Sequence, residues 1–129
     1  RSVQQVLQGF GYKWMGPIAA GAFATIVRAQ NTQTGTQVAV KTFDALKCAT
    51  GKEAEEAERE LHVLELLAPG DHAHIANLLE AHESVAGKHA MLVYCGGGSL
   101  HSHLAKLQKK HRVMVESDAA MVTCVFFFF

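Results

Sequence analysis

Two residues of opposite charge have the least freedom to stay in water. Lys41 lies within Gln37-Val38-Ala39-Val40-Lys41-Thr42-Phe43, where β-branched residues alternate as in a strand. Alternation puts Val38, Val40 and Thr42 on one face and Ala39, Lys41 and Phe43 on the other. Lys41 therefore stands between a small residue and an aromatic one, where a strand normally buries carbon. Glu60 follows Ala57 by three residues and precedes Leu64 by four, beside the apolar stripe of a predicted helix. The neighbouring acids Glu55, Glu58 and Glu65 can point to water. Pairing Lys41 with Glu60 meets both desolvation costs, and removing one partner of such a buried pair costs about 3–5 kcal/mol. An ammonium held in this way is a fixed point charge suited to an anionic ligand. An isolated Val-Ala-Val-Lys also occurs as a surface strand with a hydrated lysine, so the surrounding elements decide.

Arg1 to Gly11 is a polar lead-in, with Val3, Val6 and Leu7 at helical spacing. Tyr12 to Ile18 reads as a first strand that Pro17 confines to an edge or bend. Ala19-Ala20-Gly21-Ala22-Phe23-Ala24 is a small-residue loop with one aromatic, and Thr25 to Gln30 is a second strand. Asn31-Thr32-Gln33-Thr34-Gly35 carries turn chemistry into the lysine strand. The first 43 residues thus predict a three-stranded antiparallel meander. Thr50 and Glu53 have capping-box spacing and predict a helix over 52–67, with Ala54, Ala57, Leu61, Leu64 and Ala68 on its buried side. Ala68-Pro69-Gly70 stops it. Strands are predicted at Ile75–His82 and His89–Tyr94, with a turn at Ala86-Gly87-Lys88. Gly96-Gly97-Gly98 is a linker, and Ser99 caps a helix running to about Lys110. Ser117-Asp118 opens a last helical pattern through Val122, Val125, Phe126 and Phe129. The fold expected is α+β: a five-stranded antiparallel sheet on one main helix, plus two carboxyl-terminal helices.

Composition removes several function classes. The 129 residues suit one small domain or part of a larger one, and 12 basic residues balance 12 acidic ones. No basic patch interleaves with aromatics, so no nucleic-acid partner is expected. The most apolar run, Ala119 to Phe129, is about half a bilayer span, so no membrane helix is expected either. Cys48, Cys95 and Cys124 are few and scattered, which fits reduced thiols and a cytoplasmic, intracellular setting. Thr50-Gly51-Lys52 is not a Walker loop, because Leu46 and Glu53 stand where Gly and Ser or Thr are needed. His72/His74 and His101/His103 lack further ligands at zinc spacing, so no metal site is expected. Cys95 reads as a small apolar residue rather than a reactive thiol. The four closing phenylalanines read as core left facing an absent partner surface, and exposed they favour aggregation.

Five segments, in this order and at these gaps, resemble the amino-terminal, ATP-binding lobe of a eukaryotic-type protein kinase. Ile18 to Ile26 matches the glycine-rich loop, Val38-Ala39-Val40-Lys41 the lysine strand, and Arg59-Glu60-Leu61-His62-Val63-Leu64 the helix with the pairing glutamate. His72-Ala73-His74-Ile75 is similar to the His-Pro-x-Ile loop. Met91 to Leu100 is similar to the fifth strand, hinge and Gly-Gly-Ser-Leu helix opening, in a form closest to the calmodulin-kinase and energy-sensor groups of Ser/Thr kinases. The match runs from about Tyr12 to about Val125. It implies a lead-in over 1–11, a nucleotide-binding lobe over 12–95, a hinge at 96–98 and the start of a second lobe over 99–129.

The resemblance implies ATP as cofactor, with a protein as the unidentified substrate or partner. Lys41, held by Glu60, would meet the α- and β-phosphates. The loop of Ala19, Ala20, Gly21, Ala22, Phe23 and Ala24, running on through Thr25, would cover the phosphates with backbone N–H groups, with Phe23 excluding water. Ile18, Ile26 and Ala39 would sandwich adenine, and backbone groups of Leu92, Val93, Tyr94 and Cys95 would bond its edge. Two departures stand out. Ala19 and Ala24 replace two loop glycines, and their Cβ atoms hinder close backbone approach. Neither a His-Arg-Asp catalytic loop nor an Asp-Phe-Gly segment occurs, so the base and the Mg²⁺ ligands of a complete kinase have no counterpart. The expectation is a chain truncated before the catalytic loop, unable to transfer phosphate alone. The competing expectation is a kinase-like binding module that works without catalysis.

Overall fold

The computed structural model describes residues 2–70 and 75–110. The elements are α1 (Val3–Gly9), β1 (Tyr12–Ala20), β2 (Ala24–Asn31), β3 (Gln37–Asp44), α2 (Gly51–Leu67), β4 (Leu78–Ser84), β5 (Gly87–Val93) and α3 (Leu100–Lys109). The strands form one antiparallel sheet in the order β1-β2-β3-β5-β4. The meander forms as the pattern predicts. Asn31 accepts N–H groups from Gln33 and Thr34 and so closes the β2–β3 turn.

β3 sits at the centre of the sheet, and its alternation gives the domain two cores. On one face Ala39 and Phe43 pack with Ile26, Ala90, Leu92 and the α2 residues Ala57, Leu61 and Leu64. On the other face Val38 and Val40 pack with Ala29, Met91, Tyr12 and Leu7 of α1. β1 is an edge strand, and its register shifts on both sides of Pro17, in keeping with a residue that cannot donate to the ladder.

Several boundaries differ from the sequence expectation. The strand at 75–82 begins at Leu78 and ends at Ser84, and the next begins at Gly87. The reversal therefore falls at Val85-Ala86, because Gly87 is already paired with Asp44 and Ser84. The capping box at Thr50 does not form. Thr50 is the N-cap residue, but its side chain makes no capping hydrogen bond. A complete capping box occurs instead at Ser2 and Gln5, where the lead-in forms a short helix. Ala68-Pro69-Gly70 ends α2 in a single 3₁₀ turn. Ser99 caps α3 by accepting the Ser102 N–H. The His72–His74 loop, Cys124 and the final helical pattern ending in Phe129 lie outside the described residues.

Candidate functional site

Lys41 leaves the middle of β3 on the α2 side of the sheet, and Glu60 comes from the third turn of α2. Their groups meet: Lys41 Nζ bonds Glu60 Oε1, with the lysine side chain 15% exposed and the glutamate 26%. Ala57, Leu61 and Leu64 seat the helix on the sheet, which fixes the direction of Glu60. A second contact comes from within β3. The Phe43 ring, on the same face, lies with its centroid 5.3 Å from Lys41 Nζ, inside the range of a cation–π interaction.

Above this pair the β1–β2 connection is short. Ala19 and Ala20 remain in β1 and Ala24 starts β2, leaving Gly21, Ala22 and Phe23 as the turn. The Gly21 N–H donates to Ala24 O at 2.8 Å. Phe23 does not stand out over the loop as a water shield. Its ring packs on the α2-side core, 6.5 Å from the Phe43 ring at an interplanar angle of 20°. Its carbonyl accepts the Asp44 N–H at 3.0 Å, and Cys48 Sγ lies 3.6 Å from the same oxygen. Burial, with Asp44 and Glu53 nearby, raises the Cys48 thiol pKa. Ala19, Ala20, Ala22 and Thr25 are exposed.

A cleft of about 310 Å³ opens beside the loop, lined by Ile18, Ala19, Tyr94, Cys95, Gly96, Gly98, Ser99 and Ser102. Ile18, Leu78 and Tyr94 pack on the core that holds Ile26, Ala39 and Leu92. Arg28 lies over the Tyr94 ring, 5.6 Å from its centroid. Leu92 is buried in β5 opposite Ala39, and the Val93 N–H donates to Asn77 O at 3.1 Å. Tyr94 and Cys95 follow the end of β5 and line the cleft.

The opposite face holds a polar network that the sequence reading did not foresee. His89 is fully buried, with Nδ1 2.9 Å from Thr42 Oγ1 and Nε2 2.7 Å from Ser84 Oγ. Burial, with His82 close by, lowers its pKa below the ordinary 6.5. Tyr12 donates to Glu80 Oε2 at 2.7 Å, and His82 Nε2 lies 3.1 Å from the same oxygen. The Tyr12 bond first, and His82 second, hold the Glu80 carboxyl below its usual pKa, whereas burial chiefly raises the Tyr12 phenol. Phe10 stacks on His82 at 4.4 Å. The only forewarning was Thr42, placed by alternation on that face.

A five-stranded antiparallel sheet packed on a helix that supplies a carboxylate to a strand lysine is the architecture of a kinase amino-terminal lobe. Residues 12–125 match the protein kinase domain, and the chain belongs to the protein kinase family. It is 32% identical over 118 residues to the serine/threonine-protein kinase ATG1 of Debaryomyces hansenii, covering 88% of this chain and 13% of that protein. It is 34% identical over 89 residues to the atg1 kinase of Aspergillus clavatus, covering 69% and 9%. Human serine/threonine-protein kinase 10 is 30% identical over 95 residues, covering 74% and 9%. The chain thus spans about a tenth of the length of the curated relatives it matches. No helix among the described residues is long and apolar enough to cross a membrane.

Proposed function

We propose that this chain is the ATP-binding lobe of a protein serine/threonine kinase, with phosphoryl transfer to protein belonging to the complete enzyme. The observation that carries this is the Lys41–Glu60 pair, which fixes an ammonium between β3 and α2; the cleft of about 310 Å³ lies toward the hinge and is lined by Ile18, Ala19 and residues from Tyr94 to Ser102, not by Lys41. That volume is at the lower end of the ~300–1,000 Å³ typical of ligand sites. Ile18 and Tyr94 give the cleft apolar surface for a flat heterocycle, and Ser99 and Ser102 give it polar groups. In this reading residues 12–95 form the lobe, 96–98 the hinge and 99–129 the start of the second lobe, in a cytoplasmic protein.

Ile18, on the cleft wall, would hold adenine and the backbone from Tyr94 to Gly96 would orient its edge, with Ile26 and Ala39 buried in the core behind rather than lining the cleft. Lys41 neutralises phosphate charge, and Glu60 keeps its ammonium from swinging away. The loop from Ala19 to Ala24 covers the phosphates. Bound ATP supplies the transferable γ-phosphoryl group, with Mg²⁺ bound by residues of the complete kinase.

A second reading is a kinase-like binding module that works without catalysis. One observation favours it: the Gly21 N–H is engaged by Ala24 O, and alanines occupy two of the loop's three glycine positions. Thermal shift with ATP, with and without Mg²⁺, separates the two. The wild type should be stabilised by ATP and Lys41→Met should lose that shift. No ATP-dependent shift in the wild type would establish the second reading over the first.

A further inference from the structure

We infer that Phe43 is a positioning residue for Lys41, and that through Phe23 it gives the lysine and the β1–β2 loop one shared anchor. This deepens the nucleotide-site reading, on which its consequence for ATP rests.

Three observations meet at this ring. Lys41 Nζ lies 5.3 Å from its centroid. The Phe23 ring lies 6.5 Å away, nearly parallel to it. Phe43 itself is 1% exposed, locked between β3 and the core beneath α2. An ammonium has three donors. Glu60 takes one, the ring face covers another side, and a third remains for phosphate. The carboxylate alone would leave the flexible four-carbon stem free to rotate about that contact. An aromatic face on a second side restricts Nζ to a narrow region, since a cation is attracted to the ring's negative face and not to its edge.

The same ring holds the loop. Phe23 reaches it from the hairpin turn, while the Phe23 carbonyl is held by the N–H of Asp44, the residue immediately after Phe43. Main chain and side chain of Phe23 therefore both dock at positions 43 and 44. A shift of the ring moves loop and ammonium together. A leucine at 43 would fill much of the same core but present no face to either group.

The test uses the whole 129-residue chain and begins without nucleotide. Peptide-mapped acetylation of Lys41 by an N-hydroxysuccinimide ester reads how tightly the amine is held. Phe43→Leu should speed acetylation of Lys41 by about threefold to tenfold, the range of a partly desolvated cation–π contact. Phe43→Tyr should restore the wild-type rate. Pentafluorophenylalanine at position 43 keeps the ring's shape but reverses the charge of its face, and should behave like leucine. In parallel, Phe43→Leu and the fluorinated variant should weaken ATP binding by about threefold to tenfold, and Phe43→Tyr should not.

Wild-type acetylation rates in both the leucine and the fluorinated variants would overturn the inference. So would a change in the leucine variant that the fluorinated one does not share, since that is packing alone. If Phe43→Leu fails to fold, the fluorinated variant decides. If the wild type binds no ATP, the nucleotide reading fails, yet the acetylation rates still decide the role of Phe43.

Discussion

Lys41 and His89 stand on adjacent strands, on opposite faces of the same sheet, and they answer burial in opposite ways. Lys41 takes Glu60 and an aromatic face as partners. His89 has only hydroxyls, Thr42 and Ser84, at its two nitrogens, so its neutral form is favoured and its folded pKa lies below 6.5. As pH falls, the unfolded chain takes up the proton first, and stability drops with it. That contribution is present above about pH 6.5 and is lost as pH falls from there toward the folded value. The urea midpoint of the wild type should therefore fall between pH 7.5 and 5. His89→Gln should flatten that fall while costing about 1–3 kcal/mol at pH 7.5 through its broken hydrogen bonds. Glu80 acts in a lower window. Its depressed carboxyl pKa contributes stability above its unfolded value and loses it as pH falls through the folded one. With its side chain 47% exposed, its share is small. Tyr12→Phe, which removes the phenol from Glu80, should cost about 0.5–1.5 kcal/mol in the same urea titration. At this scale Lys41 and Glu60 were legible because each is the one charged group its element cannot turn outward. His89 was not, because a histidine in His-Ala-Met-Leu carries no sign of whether two hydroxyls await it from strands elsewhere in the chain.

Among the elements, β3 and α2 were the most legible. Eight and seventeen residues of regular period leave little ambiguity, and their faces follow from alternation and from three- and four-residue steps. Turns were less so, since which residue takes the corner depends on the partner strand. Gly87 is the instance. The sequence placed it in a turn, but it is the first residue of β5, at φ +138°, pressed against β3. A Cβ there would lie 1.8 Å from Phe43 O and 2.9 Å from Phe43 C. Neither backbone can yield cheaply, so Gly87→Ala should destabilise by at least about 3 kcal/mol, read as a lower urea midpoint. The β1–β2 hairpin shows a different limit. Its residues were assigned from a resemblance, yet the inward turn of Phe23 depends on Phe43, twenty positions further along the chain, and no local pattern encodes that contact.

For the molecule as a whole, five antiparallel strands and the opening meander could be anticipated, but not the place of β5 between β3 and β4 nor how far the sheet curls. Tyr12 opens β1 at one edge and Glu80 lies in β4 at the other, yet their side chains hydrogen-bond. Phe10, just past α1, stacks on His82 of β4 and tilts against His89. The lead-in, which the sequence left as a weak helical stretch, is therefore a strap joining both margins of the sheet across its outer face. Neither margin can then open by itself. In a hydrogen-exchange experiment the amides of β4 should gain and lose protection in step with those of residues 3–12, some seventy positions earlier in the chain. Removing those opening residues should leave the far edge of the sheet exchanging faster while the centre, at Val40 and Met91, stays slow.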